Sequence, residues 1–268
     1  MTTKICALCA TYNRPKHLGQ MVAMFLSQDH PNKELLILDD ANQYGDLPWN
    51  QRCGDGWFII SVPERILSVG AKRNLLAKLT NAPFLATFDD DDWYLPWHLS
   101  AVSSALECAP WAQPRQSLEW ETNTTLSRHW VYGEPVRAQL DEHQNPTTWQ
   151  QAYDCCYGGQ WAYRRDKFLA IGGFPERLGN GDDTEWCRAM FNKHGPSANS
   201  ITTQHPNPAY VYSRNQSGSW HASELGPGAA PLKRLEAMPR QPLSLFKVEL
   251  PSNYHAVQIP RDTRPRRW

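Results

Sequence analysis

The chain has 268 residues, of which 41% are hydrophobic and 20% are charged, which is the composition of a folded globular protein. Its 27 basic and 27 acidic residues cancel, so the chain as a whole carries no strong field that would favour nucleic acid or an anionic membrane. No stretch approaches the about 18 consecutive apolar residues of a spanning helix, and the N-terminus lacks a signal-peptide pattern. We therefore expect a cytoplasmic protein with no membrane span.

Strands and helices alternate over the first 100 residues. Apolar runs that predict strands lie at 5–10, 33–40, 57–62 and 83–88, and helical stripes lie at 15–28 and 70–81. This order predicts a mostly parallel sheet with helices on both faces. Polar residues follow the carboxyl ends of the strands, where open α/β sheets bind ligands.

The first strand contains two of the seven cysteines, Cys6 and Cys9. Their C-x-x-C spacing occurs in zinc and redox sites, but alternation along a strand puts residues three apart on opposite faces. We expect buried, reduced thiols that do not share a metal.

The second part of the chain is less regular. The region 110–155 is polar with β-like pieces such as "HWVYGEPV", and "GGQWAYRRDKFLAIGGF" (158–174) predicts a strand. The segment "GNGDDTEWCRAMFNKHG" predicts a helix with acidic residues in its first turn. Residues 222–268 are rich in Pro, Gly and Arg, which indicates a wrapping or mobile extension rather than a domain.

Four consecutive carboxylates, Asp89 to Asp92, follow the strand at 83–88 and precede an aromatic cluster. An exposed acidic run is the commonest meaning of such a string. Here the buried strand before it and the aromatic residues after it fix alternate carboxylates in a partly buried place. Carboxylates at i and i+2 can converge on one divalent cation, and their hard oxygens suit Mg²⁺ or Mn²⁺.

Six motifs occur in one order and spacing: "TYNRP", "ELLILDD", "SVGAKRN", "FDDDDW", "GGQWAYRRDKFLAIGGF" and "GDDTEWCRAM". Over roughly residues 3–220 the chain resembles family 2 glycosyltransferases with the GT-A fold. The resemblance implies an α/β fold with a Rossmann-like, mostly parallel sheet flanked by helices and an irregular C-terminal extension. It also implies a domain at 1–221, with a nucleotide-sugar half (1–100) and an acceptor half (101–221), followed by the extension (222–268).

The resemblance further implies a metal-dependent, inverting transfer from a nucleotide-diphosphate sugar, with a UDP-sugar favoured, to an acceptor hydroxyl. Asp183 matches the general base. Asp91 matches the ligand of Mn²⁺ or Mg²⁺, together with Asp89 and a late histidine, for which His221 is preferred over His205.

The remaining matched positions fall into two groups. Those expected to bind the nucleotide sugar are Thr11, Asn13, Arg14, Asp39, Asp40, Arg73, Asp89, Asp90 and Arg214. Those expected near the acceptor or sugar are Trp93, Trp161 and Asp182, although core packing is the commoner role of a tryptophan. Lys72 is expected on a solvated helix face, and Asp92 is expected to support the acidic run by capping the turn before Pro96.

The acceptor implied by the family is a glycan or another surface polymer. The basic tail "PRDTRPRRW" is also compatible with a phosphate-bearing acceptor such as a modified nucleic acid, which would give salt-sensitive DNA binding lost on removal of residues 260–268. Two other functions stay open. One is a catalytically silent nucleotide- or sugar-binding module, and the other is a nucleotidyl- or phosphotransferase.

Overall fold

The structure is a computed structural model. It describes residues 2–48, 52–113, 116–121, 126–131, 158–176, 182–196, 198–199, 210–214, 240–242 and 258–259.

The described residues form five α-helices and thirteen β-strands. The α-helices are α1 (Pro15–Leu26), α2 (Val69–Leu79), α3 (His98–Leu106), α4 (Arg165–Ala170) and α5 (Asp182–His194). The strands are β1 (Ile5–Thr11), β2 (Lys33–Asp39), β3 (Cys53–Gly54), β4 (Trp57–Ser61), β5 (Phe84–Thr87), β6 (Trp93–Tyr94), β7 (Trp111–Gln113), β8 (Gln116–Glu121), β9 (Leu126–Val131), β10 (Ala162–Arg164), β11 (Ala198–Asn199), β12 (Tyr210–Arg214) and β13 (Arg240–Pro242).

The main sheet has the order β11-β7-β10-β5-β1-β2-β4-β3. Its centre is parallel, because β1 pairs in parallel with both β2 and β5, and β2 pairs in parallel with β4. Only β10 and β3 run antiparallel to their neighbours. The mostly parallel sheet flanked by helices is therefore confirmed.

Each face of this sheet packs on its own hydrophobic cluster. One cluster contains Cys9 with apolar side chains of α1 and α3, and the other contains Cys6 with apolar side chains of α2, α4 and α5. The two thiols thus lie on opposite faces, as alternation predicts. Burial raises the pKa of the Cys6 thiol and of the Cys9 thiol well above the ordinary value, which favours the protonated form of both.

The prediction of one strand over 158–174 is wrong. A 3₁₀ turn at Gly158–Gln160 comes first, β10 is only three residues long, and α4 follows it directly. Gly172 and Gly173 then both take positive φ, of 86° and 81°, which ends the helix in the conformation that glycine adopts most easily. The mixed polarity of "RRDKFLA" fits a surface helix that buries only Phe168.

A second sheet has the order β13-β9-β8-β12-β6. Strand β6 comes directly after the acidic run, and β12 pairs with it through Tyr210 and Val211. Strand β13 lies within the predicted extension and pairs with β9. The domain boundary at residue 221 stays a prediction, but this sheet takes strands from both sides of it.

Within the described ranges, no helix combines the length and apolar character that crossing a bilayer requires.

Candidate active site

The parallel strands bring polar residues together at the edge where their carboxyl ends lie, here called the carboxyl edge. The register places Thr11 of β1 beside Asp39 of β2, and Asp39 beside Ser61 of β4. Asp89 follows β5 after a single residue, so the acidic run begins at the same edge. Loops at this edge of an open α/β sheet are the expected place for a ligand.

The four carboxylates of the run alternate in burial. The side chains of Asp89 and Asp91 are 24% and 14% exposed, whereas Asp90 and Asp92 are buried. The predicted division into two outward and two supporting carboxylates agrees with this pattern.

Asp90 is held from β1 and from the start of α1. It accepts hydrogen bonds from Thr11 Oγ1 at 2.6 Å and from Arg14 Nη1 at 2.9 Å, and the same arginine nitrogen donates to Asp91 at 2.7 Å. Burial, followed by the charge of Asp91, raises the pKa of Asp90 to about 6, although Arg14 and Thr11 oppose the shift.

Two tyrosine hydroxyls support the run from the second sheet. Tyr210 donates a hydrogen bond to Asp92, and capping of the turn before Pro96 by Asp92 stays a prediction. The Tyr94 hydroxyl accepts from the Asp89 amide at 2.7 Å and donates to the Gly159 carbonyl at 2.8 Å. Burial raises the pKa of both tyrosines, so both hydroxyls keep the protons that they donate.

Arg73 of α2 joins the acidic run to α5. Its side chain is buried, and its Nη2 lies 2.7 Å from Asp89 while its Nη1 lies 3.4 Å from Asp183. The guanidinium also stands 5.2 Å from the centre of the Phe174 ring, which restricts its position. The Asp183 side chain is 35% exposed. The Arg73 guanidinium therefore contacts both Asp89 and a second carboxylate that is in contact with solvent.

The carboxylates of Asp39 and Asp40 are held by hydrogen bonds and ion pairs with other residues of the chain. Asp39 accepts hydrogen bonds from the amides of Ala41 at 3.0 Å and Gln43 at 2.7 Å, and from Ser61 Oγ at 2.7 Å. These hydrogen bonds hold the turn that follows β2, and contact of Asp39 with a base stays a prediction.

Asp40 is fully buried at its side chain and pairs with Lys72 and Arg65. The expectation that Lys72 lies on a solvated helix face is wrong, because Lys72 is only 3% exposed. Burial lowers the pKa of Lys72, and its hydrogen bond and ion pair with Asp40 act in the opposite direction. Lys72 therefore holds Asp40 in place at the carboxyl edge and does not face solvent.

Tyr12 and Arg65 are parts of the edge that the sequence analysis missed. The Tyr12 ring is 46% exposed, and the Arg65 guanidinium lies 3.5 Å from its centre. An aromatic residue directly after a central parallel strand was the available signal, because a flat exposed ring there can stack on a planar ligand.

The two tryptophans expected near the acceptor take different places. Trp161 is fully buried and stacks on Trp186 at 4.6 Å, so it packs in the core, and its acceptor role stays a prediction. Trp93 is 8% exposed and packs edge-on against Trp120, and its proposed role stays untested.

Other predicted residues are placed only in part. Asn13 has a φ of 55° and accepts a hydrogen bond from Gln43 at 3.0 Å. Asp182 begins α5 and Arg214 ends β12, but their side chains lie outside the described residues. His205 and His221 lie outside the described residues altogether.

The fold was compared with solved structures. Staphylococcus aureus TarS 1-349 in complex with UDP-GlcNAc superposes with a TM-score of 0.60 at 16% identity, over 84% of this chain and 62% of that chain. The mannosyltransferase PcManGT from Pyrobaculum calidifontis, in complex with GDP-Man and Mn²⁺, gives a TM-score of 0.57 at 15% identity, over 81% of this chain and 58% of that one. The chain thus spans less than two thirds of each neighbour, and the likeness confirms the GT-A fold.

No curated protein sequence is a significant match to this chain. The sequence pattern named "Glycosyl transferase family 2" matches residues 6–172, which hold the acidic run, Arg73 and the turn at Gly158–Gln160. Because this match extends over more than half of its length, the chain belongs to glycosyl transferase family 2.

Proposed function

We propose that the chain transfers a sugar from a nucleotide-diphosphate sugar to an acceptor hydroxyl, with inversion at the anomeric carbon. The observation that carries the proposal is the contact of one buried arginine, Arg73, with both Asp89 and Asp183. This contact joins the acidic run, which suits a cation and a diphosphate, to a separate exposed carboxylate that suits proton removal. Family membership supports the same reaction.

A divalent metal fits the site by the chemistry of its ligands. In the part of the chain that the structure describes, no three carboxylate, thiol or imidazole groups converge on one point. Asp89 and Asp91 are the more exposed carboxylates of the acidic run, and Mn²⁺ or Mg²⁺ commonly completes its shell with phosphate oxygens and water. When bound, the ion would stabilise the charge of the departing nucleoside diphosphate.

The protein's own residues would do the rest. Arg14 and Arg73 lie on the acidic run, where they can also face diphosphate oxygens. Thr11, Asn13, Asp39 and Asp40 would shape the nucleotide site at the carboxyl edge, with Tyr12 offering an exposed ring to the base. Asp183 would take the proton of the acceptor hydroxyl while that oxygen attacks the anomeric carbon.

We propose a UDP-sugar as the donor and a glycan or another hydroxyl-bearing polymer as the acceptor. The TarS structure with UDP-GlcNAc supports the first choice, whereas PcManGT with GDP-Man makes a GDP-sugar the alternative to test.

A panel of UDP- and GDP-sugars tests the proposal. We expect one donor to raise the melting temperature only with Mn²⁺ present, and we expect slow hydrolysis of that donor to release the nucleoside diphosphate. Release of the nucleoside monophosphate would instead indicate a nucleotidyl- or phosphotransferase. Binding without turnover of any donor and acceptor would indicate a silent binding module.

Replacement of the proposed base separates binding from turnover. Asp183→Asn should keep donor binding and lower the rate by about 10²–10⁴-fold, because only proton removal is lost. Asp166→Asn, at an exposed carboxylate of α4, is the matched control and should leave the rate unchanged. An Asp183→Asn enzyme with the wild-type rate would refute the assignment.

A further inference from the structure

The 3₁₀ turn at Gly158–Gln160 lies against the acidic run without a side chain between them. A Cβ atom added to Gly159 would come 2.7 Å from Asp92 Oδ2, 2.8 Å from Asp89 Oδ2 and 3.0 Å from the Tyr210 hydroxyl. Carbon atoms do not approach carboxylate oxygens this closely without displacing them. The backbone of Gly159 is therefore part of the wall against which two of the carboxylates rest.

The turn is also tied to the run by a hydrogen-bonded bridge. The Tyr94 hydroxyl joins the Gly159 carbonyl to the Asp89 amide, and the Tyr94 ring stacks on Phe88 at 3.7 Å. The Thr87 amide donates to the Trp161 carbonyl at 2.8 Å, so the turn is also fixed to the end of β5. The distance between the turn and the run is thus set by covalent geometry and buried hydrogen bonds.

Asp89 is held from two sides. Its Oδ1 pairs with Arg73 at 2.7 Å, and its Oδ2 is one of the oxygens that face Gly159. A methyl group at residue 159 would push Oδ2 away and turn the carboxylate off Arg73. Since Arg73 also contacts Asp183, the displacement would reach both carboxylate motifs of the site.

We propose that Gly159 is a positioning residue, whose missing side chain lets Asp89 and Asp92 seat against the turn and so fixes the direction in which Asp89 presents its oxygens to a divalent cation. This inference rests on the proposed function, because it assigns the cation to the same carboxylates. Neighbours that position metal ligands typically change metal affinity by about 10–100-fold when they are altered.

The variant Gly159→Ala is expected to fold. The atoms that a Cβ would meet are the ends of three side chains rather than backbone, and those ends can shift. We expect its Mn²⁺ affinity, measured by electron paramagnetic resonance of free Mn²⁺ with UDP present, to fall by about tenfold or more. GDP serves as the second probe, and unchanged affinity with both nucleotides would overturn the proposal.

Gly195→Ala is the matched control. Gly195 follows α5, has a φ of 82°, and has no atom within 4 Å of an added Cβ. Alanine there strains the backbone and lowers the melting temperature, but it should leave Mn²⁺ affinity unchanged. Equal loss of Mn²⁺ affinity in both variants would show a general effect of destabilisation and would also overturn the proposal.

If Gly159→Ala does not fold, a second variant can test the same proposal. Tyr94→Phe keeps the stacked ring but removes the bridge between Gly159 and Asp89, and it should also weaken Mn²⁺ binding. Unchanged binding in that variant would contradict the proposal. A wild-type chain that binds no Mn²⁺ with either nucleotide would instead refute the metal-dependent function on which the inference depends.

Discussion

Lys72 and Asp40 form an ion pair in which both side chains are buried, 4% and 0% exposed. Lys72→Met should lower the free energy of unfolding by about 3 kcal/mol, because the buried carboxylate loses its best-shielded partner. Arg65→Met, at the 38% exposed partner of the same carboxylate, should cost no more than about 1 kcal/mol. Urea denaturation measures both, and equal losses would contradict the asymmetry.

His98 should make the fold sensitive to acid. Among the described residues neither of its nitrogens has a hydrogen-bond partner, and burial lowers its pKa to about 3. Because the unfolded chain takes up this proton near pH 6.5 and the folded chain does not, stability is full above pH 6.5 and falls as pH drops towards 3.

The variant His98→Leu tests this expectation. Its stability relative to the wild type should rise by about 1.4 kcal/mol for each pH unit below 6.5, measured by denaturation at a series of pH values. A difference that does not change with pH would show that the imidazole is not the titrating group.

At the scale of single residues, the sequence predicted the alternation within the acidic run but missed the burial of Lys72. The burial of the four carboxylates does alternate, although Asp90 to Asp92 lie in a turn rather than in a strand, so strand alternation does not explain the pattern. The position of Lys72 depends on Asp40, which directly follows β2, and the residues of α2 alone do not reveal that partner. The link from Arg73 to Asp183 is hidden for the same reason.

At the scale of elements, the aromatic packing between β10 and α5 is structural. Trp161 stacks on Trp186, which stacks on Phe174 at 5.1 Å. Trp161→Phe should lower the free energy of unfolding by on the order of 2 kcal/mol through lost packing. Affinity for UDP with Mn²⁺ should not change, and a loss of acceptor or donor binding at unchanged stability would instead support the predicted ligand role.

The long central elements were predictable and the short ones were not. The apolar runs of β1, β2, β4 and β5 and the stripe of α1 appear in the sequence near their observed bounds. The three-residue strand β10 is too short to show a period of its own, and the apolar residues of α4 extended the apparent strand. Only pairing with β5 and β7 makes β10 a strand.

At the scale of the whole molecule, the predicted extension contributes to the fold. Ending the chain after residue 239 removes β13, which pairs with β9, and removes Ile259, which packs on the core cluster of Cys9. The chain that ends after residue 239 should melt at a lower temperature than the chain that ends after residue 259. Without β13, β9 has no partner on one side and becomes an edge strand. Equal melting temperatures would show that β13 adds no stability.

The second sheet was beyond sequence analysis because its strands come from distant segments. Tyr210 and Val211 of β12 pair with Tyr94 and Trp93 of β6, and no local signal records which segment meets which. Part of the main sheet could be predicted, because β1 and β2, which follow each other in the chain, are neighbours there.

The contact between Tyr210 and Asp92 has a consequence for the order of events during synthesis. The ribosome delivers the acidic run long before residue 210, and until β10 appears β5 has an open edge. A nascent chain therefore holds its four clustered carboxylates without the support of Tyr210 while most of the central sheet can already form. The active site should mature after the central sheet, and an arrested chain that ends before Tyr210 should have the parallel sheet but an acidic run that is not yet fixed in position.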